Sequence, residues 1–99
     1  MTTSEQKAHL DKFVLKMSQT LLKKGNDYAT NDRLSNFKLA GAICGLSAEQ
    51  NCLSLIATKV ARLGVLLSTK ADPNNESISD SLLDLANYAV LLDMLVNEG

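Results

Sequence analysis

The sequence predicts an all-α protein, a small helical bundle of three long helices and one short helix. Three observations lead to this fold class. Long segments carry apolar residues three and four positions apart, and neither strand-like alternation nor an internal repeat is present. The chain has 99 residues, of which 45% are hydrophobic, and this length and composition predict one packed domain over residues 1–99.

The first helix is predicted over residues 4–24. Thr3 and Gln6 have the spacing of a capping box, in which two side chains satisfy free backbone N–H groups at a helix start. One apolar stripe follows, formed by Leu10, Phe13, Met17 and Leu21. Gly25 comes directly after two lysines and is therefore expected to end the helix.

A polar loop is predicted over residues 25–35, because this segment is rich in Asn and Asp and has no helical stripe. A short helix over about residues 36–43 follows and is expected to end at Gly45. Such a long polar loop suits contact with a nucleotide base, which Tyr28 would stack on and which Asp27 and Asn36 would hydrogen-bond.

The third helix is predicted over about residues 48–68, opened by a second capping box of Ser47 and Gln50. Pro73 and two asparagines then interrupt the pattern. The last helix is predicted over about residues 76–96.

Both of these helices are apolar on more than one side. The expected core stripe of the third helix is Leu53, Ile56, Ala57, Val60, Gly64 and Leu67, and that of the last helix is Ile78, Leu82, Leu85, Ala89, Leu92 and Val96. Further leucines lie on their other sides. A helix that is apolar nearly all round is buried nearly all round, and a chain of this size cannot cover two such helices alone. We therefore expect a homo-oligomer.

A second, polar stripe accompanies these apolar residues. On the last helix it consists of Glu76, Asp80, Asp84 and Asn87, and on the third helix of Lys59 and Arg62. Buried charges need partners, so the two sets are expected to meet. If the two helices are antiparallel neighbours, Asp84 is expected to pair with Lys59.

Three interpretations of this stripe remain open. In the first, Glu76, Asp80 and Asp84 hold Mg²⁺ for phosphate chemistry. Such a site requires carboxylates from a second helix as well, whereas the facing helix supplies Lys59 and Arg62. In the second, Lys59 and Arg62 hold phosphate groups, and no cofactor is required. Asp80, Asp84 and Asn87 then orient the cations or contact the sugar or base. In the third, the charges only set helix register and bind no ligand.

Composition excludes several other classes. The net charge of −1 argues against general nucleic-acid binding. The sequence shows neither an uninterrupted apolar run of about 18 residues nor the apolar stretch of a signal peptide, so we expect no membrane association and a cytoplasmic location. Cys44 and Cys52 form no CxxC pair and are expected to be buried, reduced thiols.

Three stretches resemble a known family: "KKGNDYATNDRLSNF", "LIATKVARLGVLL" and "ESISDSLLDLANYAVLL". They are similar to the phage-associated nucleotide-modification domain (first type), over about residues 23–95. The family pattern combines a lysine-rich turn containing "DY", a K-x-x-R-L helix and an "ES-x-x-D-x-L-x-D-L-x-N-Y-A" helix. The matching residues are Asp27, Tyr28, Asn36, Lys59, Arg62, Glu76, Ser77, Asp80, Asp84, Asn87 and Tyr88.

This domain is distantly similar to the MazG-like all-α nucleoside triphosphate pyrophosphatases, which bind Mg²⁺ with acidic pairs on two helices. The chain matches only the second acidic set, and Lys59 and Arg62 stand near the expected place of the first. The resemblance therefore implies a phage-type nucleotide-binding protein, in the host cytoplasm if phage-encoded. It could sequester a cyclic or modified nucleotide signal of host defence. A Mg²⁺-dependent nucleotide pyrophosphatase or nucleotide-modification factor is the enzymatic alternative, and a structural oligomer without a ligand is the third.

Overall fold

The described part of the chain is helical. A computed structural model of the protein describes residues 1–27, 34–69 and 76–98, and the side chains of residues 1–23, 34–69 and 78–98. These ranges contain four helices and no strand: α1 (Thr3–Asp27), α2 (Ser35–Cys44), α3 (Ala48–Thr69) and α4 (Glu76–Glu98). The predicted fold class, three long helices and one short helix, is confirmed.

Both ends of α1 differ from the prediction. The capping residue is Thr2 rather than Thr3, because the Glu5 N–H donates to Thr2 Oγ1 at 3.1 Å and the Gln6 N–H donates to the Thr2 carbonyl at 2.9 Å. The helix also continues through Gly25 to Asp27. A glycine permits a helix to end but does not require it, and costs only about 1 kcal/mol within a helix.

The corner between α2 and α3 is formed by residues that the sequence identifies. Gly45 adopts the left-handed conformation, with φ 72° and ψ 27°. Its N–H donates to the Ala42 carbonyl at 3.3 Å, and the Leu46 N–H donates to the Gly41 carbonyl at 2.8 Å, which together satisfy the end of α2. The predicted capping box follows immediately: the Ser47 N–H donates to Gln50 Oε1 at 2.8 Å and the Gln50 N–H to Ser47 Oγ at 3.0 Å.

The helices pack as a chain of neighbours around the α3–α4 pair. α2 lies against α3, and α1 lies against α4. The α3–α4 pair is antiparallel, because Cys52 near the start of α3 packs with Leu95 near the end of α4, whereas Lys59 farther along α3 meets Asp84 earlier in α4.

The core lies at one end of this pair. Leu34, Cys52 and Leu95 are buried together. The half-buried residues packed around them are Phe37, Ala48, Ile56, Tyr88, Leu91 and Leu92. Leu34 belongs to the segment predicted as a polar loop, yet it anchors the start of α2 in the core. An ion pair between Lys38 and Glu98 joins α2 to the end of α4 at the surface.

The predicted core stripes of α3 and α4 are wrong in part: Ile56 and Leu92 pack against the core, and Ile78 and Leu85 are half-buried. Leu53, Val60 and Leu67 on α3 are exposed, as are Leu82 and Val96 on α4. The residues buried on α4 are instead Ser81, Leu83, Asn87 and Leu95. Periodicity identifies an apolar face but does not tell which neighbour covers it. α3 and α4 meet along the sides that carry the polar stripe.

The corner between α2 and α3 leads to a stability prediction for its two glycines. A Cβ on buried Gly41 would lie 2.8 Å from the Leu46 carbonyl oxygen and 3.0 Å from the Ser47 carbonyl oxygen. Both oxygens belong to the backbone that joins α2 to α3. A Cβ on Gly45 would meet nothing within 4 Å, so only its left-handed backbone opposes a side chain. We expect Gly45→Ala to lower the free energy of unfolding by about 1–2 kcal/mol, and Gly41→Ala to lower it by more.

Urea denaturation at one fixed protein concentration measures both changes. Ala42→Ser, at an exposed position of the same helix, is the control and is expected to change the free energy of unfolding by at most about 0.5 kcal/mol. A loss for Gly41→Ala no greater than that for Gly45→Ala would show that the corner yields to the added methyl group.

Candidate ligand-binding site between α3 and α4

A charge pair joins the two central helices. Lys59 Nζ lies 3.0 Å from Asp84 Oδ2, and the two side chains are 23% and 24% exposed. The predicted pairing of these residues is confirmed. The pair sits at the edge of the helix contact, where solvent screens it only in part.

Local helix geometry brings this pair to the contact. Lys59 lies two turns after the buried Cys52 and one turn before the buried Leu63, so the three residues share one side of α3. Asp84 lies about one turn before Tyr88 and three turns before Leu95, on the side of α4 that faces α3. Packing of the apolar residues at one end of the pair therefore sets the register that joins the charges.

Asn87, one turn after Asp84, is the most unusual residue of the site. It is 5% exposed, and neither its side-chain oxygen nor its side-chain nitrogen has a hydrogen-bond partner among the described residues. The amide can donate two hydrogen bonds and accept two. Leaving such a group buried without a partner costs about 1–3 kcal/mol, and native proteins rarely do so. Asn87 is therefore a place where an incoming polar group would be stabilised.

Arg62 and Asp80 flank the pair and are exposed. Arg62 lies one turn after Lys59, and Asp80 lies one turn before Asp84. At about 100° per residue, Arg62 and Asp80 turn to the same side of the antiparallel α3–α4 pair, and Asn87 turns to that side as well. This side, which we call the polar side, carries two cations and two carboxylates, with the buried, unpartnered amide beside them.

Asn36 lies away from this group. It is exposed on α2, next to the turn where Leu34 packs on Cys52. Cys52 and Lys59 are seven residues apart, which corresponds to about 10 Å along α3. The structure therefore does not bring Asn36 to the level of the charge pair.

The other predicted residues lie outside the described side chains. Asp27 is the last residue of α1 and Glu76 the first of α4, but neither side chain is described. Tyr28 is outside the described ranges altogether. Base contact by Asp27 and Tyr28 therefore stays a prediction.

A Mg²⁺ site receives no support from the described side chains. Among them, no group of three His, Cys, Asp or Glu residues is placed to hold a metal ion. Asp84 is already neutralised by the Lys59 ammonium group, which competes with any cation for the same carboxylate. The three-carboxylate set with Glu76 stays a prediction, because the Glu76 side chain is not described.

The two cysteines have different environments. Cys52 is buried in the core, and its Sγ lies 3.5 Å from the Tyr88 carbonyl oxygen, to which it donates. Burial raises the pKa of the Cys52 thiol, so it stays protonated and unreactive at neutral pH. Cys44 is exposed, contrary to the prediction that both thiols are buried. It is the last residue of α2, beside the glycine that ends the helix, where no other element covers it.

Comparison with protein-family models, with curated proteins and with solved structures found no match for this chain. A functional assignment therefore depends on the geometry of the polar side and on the motifs quoted above.

The charge pair should contribute little net stability. We expect Lys59→Met alone to lower the free energy of unfolding by about 1–3 kcal/mol, between the values typical of exposed and of fully buried pairs, because it leaves Asp84 without its ammonium partner. The double variant Lys59→Met with Asp84→Leu should be as stable as the original protein or more stable, because no charge is then desolvated.

Chemical denaturation of the single and double variants measures this difference. The control is Lys7→Met with Asp11→Leu, which removes an exposed pair on α1 whose Nζ and Oδ2 atoms lie 2.7 Å apart. It should shift the free energy of unfolding by about 1 kcal/mol at most. A double variant less stable than either single variant would show that the pair stabilises the fold.

Asn87 and Asn51, one amide from each central helix, should respond in opposite ways to the same substitution. Asn87→Leu removes an unpartnered buried amide, so we expect the free energy of unfolding to rise by about 1 kcal/mol or more. Asn51→Leu removes an amide that donates to the Phe37 carbonyl at 3.3 Å, so it should lower stability by about 1 kcal/mol. Thermal unfolding monitored by circular dichroism ranks the variants. A clear loss of stability in Asn87→Leu would show that the amide has a partner in solution.

Proposed function

We propose that the protein binds a nucleotide or a nucleotide-derived ligand on the polar side of the α3–α4 pair. The observation that supports this most directly is the buried, unpartnered amide of Asn87, one turn from the Lys59–Asp84 pair. A fold that leaves hydrogen-bonding capacity unused beside two cations is suited to a ligand that combines anionic and polar groups.

Each residue has a distinct role in this proposal. Arg62 is exposed and presents a planar fork that matches two phosphate oxygens. Lys59 has three N–H donors, so it can hold a phosphate oxygen while it remains paired with Asp84. Asp84 thereby holds the ammonium group in place before the ligand arrives. Asn87 supplies a donor and an acceptor to a base edge or a sugar hydroxyl, and Asp80 contacts a hydroxyl at the rim.

Binding without turnover agrees better with these charges than hydrolysis does. Metal-assisted hydrolysis requires carboxylates that fix the metal, the phosphate and the attacking water together. The α3 side of this site carries Lys59 and Arg62. α4 contributes the described carboxylates of Asp80 and Asp84 to the site, and Asp84 is paired with Lys59. The proposed binding mode requires no metal cofactor.

A biological role follows from binding combined with the resemblance to a phage-associated domain. A phage protein that captures nucleotides without consuming them would lower the concentration of a free signal. We therefore propose that the ligand is a cyclic or modified nucleotide used in host defence, and that the protein sequesters it in the host cytoplasm.

Native mass spectrometry tests this function directly. The purified protein is measured before and after incubation with a mixture of linear and cyclic nucleotides and Mg²⁺. We expect an intact nucleotide retained at a fixed stoichiometry, with no product masses. Monophosphate and pyrophosphate products would instead establish the enzyme, and Asp80→Ala should then abolish turnover. A protein that retains no nucleotide would support the structural oligomer.

Substitutions on the polar side should weaken binding of the retained nucleotide. We expect Lys59→Met and Arg62→Gln each to raise the Kd about 10- to 100-fold, the equivalent of one charge-assisted hydrogen bond of about 1.5–3 kcal/mol. Asn87→Leu should also weaken binding while it stabilises the free protein. Lys7→Gln removes an equivalent charge from the exposed surface of α1 and should leave Kd unchanged. Isothermal titration calorimetry gives the four constants, and equal affinities would exclude this site.

A further inference from the structure

We infer that a second copy of this chain packs on an apolar face of α3 and α4 that the single chain leaves uncovered. The largest side chains of this face, called here the outer apolar face, are Leu53 (56% exposed), Val60 (53%), Leu67 (61%), Leu82 (44%) and Val96 (63%). Exposed Ala57, Gly64 and Ala89 lie between them. Five large apolar side chains exposed on two packed helices form a contiguous surface of the kind that marks an interface.

Helix geometry places both halves of this face on one side. The outer residues of α3 lie about 100° round the helix from the side that contacts α4, which carries Cys52, Lys59 and Leu63. The outer residues of α4 are likewise rotated about 100° from the side that contacts α3. Viewed from the N-terminus to the C-terminus of each helix, the two rotations have the same direction. Because the two helices are antiparallel, equal rotations turn both stripes to the same side of the pair.

The exposed area supports an obligate partner. The chain has a mass of 10.7 kDa and a solvent-accessible surface of 7140 Å². A folded monomer of this mass exposes about 5,500 Å². This excess of about 1,600 Å² belongs to the whole chain, α1 and α2 included, and a standard interface that buries roughly 800 Å² of each partner would account for about half of it. The radius of gyration of 15.5 Å is likewise larger than the roughly 13 Å of a compact domain of this length.

A second copy fits this face better than a membrane does. α3 is long and apolar enough to cross a bilayer by length and composition, the single described helix of which this is true. The apolar character of α3 is, however, partly used in its contact with α4, where Lys59 is paired with Asp84. A flat face on two antiparallel helices is self-complementary under a two-fold rotation. Two such pairs stacked face to face form a four-helix bundle with an apolar centre.

The outer apolar face and the polar side lie on opposite sides of the α3–α4 pair. Counted from the contact between the two helices, Arg62 and Asp80 turn one way, and Val60 and Leu82 turn the other. Dimer formation on the outer apolar face therefore does not cover Arg62 or Asp80. The inference does not depend on the proposed function, and each can fail without the other.

Two matched pairs of lysine substitutions test the interface. Val60→Lys and Leu82→Lys place a charge in the outer apolar face of α3 and α4. Thr58→Lys and Asn97→Lys place the same side chain at exposed positions of the same helices that lie off this face. Light scattering coupled to size exclusion should give a mass of at least two chains of 10.7 kDa for the original protein and for both controls. It should give one chain, or a reduced association constant, for the two face variants.

The mass of the original protein decides the inference even if the face variants fail to fold. A monomer at micromolar concentration would overturn it. A monomer that floats with vesicles of phosphatidylcholine and phosphatidylglycerol would assign the face to a lipid surface instead. Controls that dissociate as readily as the face variants would show that the interface lies elsewhere. Nucleotide titration of Val60→Lys completes the test, because its affinity should match that of the original protein if the two surfaces are separate.

Discussion

The antiparallel contact between α3 and α4 is the constraint on which the rest of the structure depends. Its register is set at one end by Cys52 and Leu95, which are buried together with Leu34, and about two turns along α3 by the Lys59–Asp84 pair. α2 packs mainly on α3, and α1 packs on α4, among the helix contacts of the described chain. A shift of this register would therefore separate the charges and move both outer helices at once.

This contact buries Cys52 and Leu95 together at one end and encloses the Lys59–Asp84 pair farther along, so it is partly apolar and partly polar. A partly buried ion pair and an unpartnered amide contribute little to stability, whereas a purely apolar contact would contribute more. In the proposed function, the ligand supplies the hydrogen bonds that Asn87 lacks among the described residues. The polar side thus combines cations, carboxylates and an amide that the fold holds in position at some cost in stability.

A second set of apolar side chains on α3 and α4 stays exposed, namely Leu53, Val60, Leu67, Leu82 and Val96. α2 packs on α3 and α1 on α4, and these contacts leave that set uncovered. Under the two proposals, a surface rich in polar groups binds a small ligand, and a surface rich in Leu and Val binds a second copy of the chain. Ligand binding and assembly would then use separate surfaces.

Local patterns in the sequence were sufficient for the helix class, the capping box of Ser47 and Gln50, the turn at Gly45 and, once antiparallel helices were assumed, the pairing of Lys59 with Asp84. These features depend on residues close in sequence or on the 3.6-residue period. Only the tertiary structure decided which face of each helix is buried. It also decided that Leu34 is a core residue and that Asn87 is enclosed without a partner. Burial depends on neighbours that are distant in sequence, and a helix with two apolar faces carries no local signal of which one the chain itself will cover.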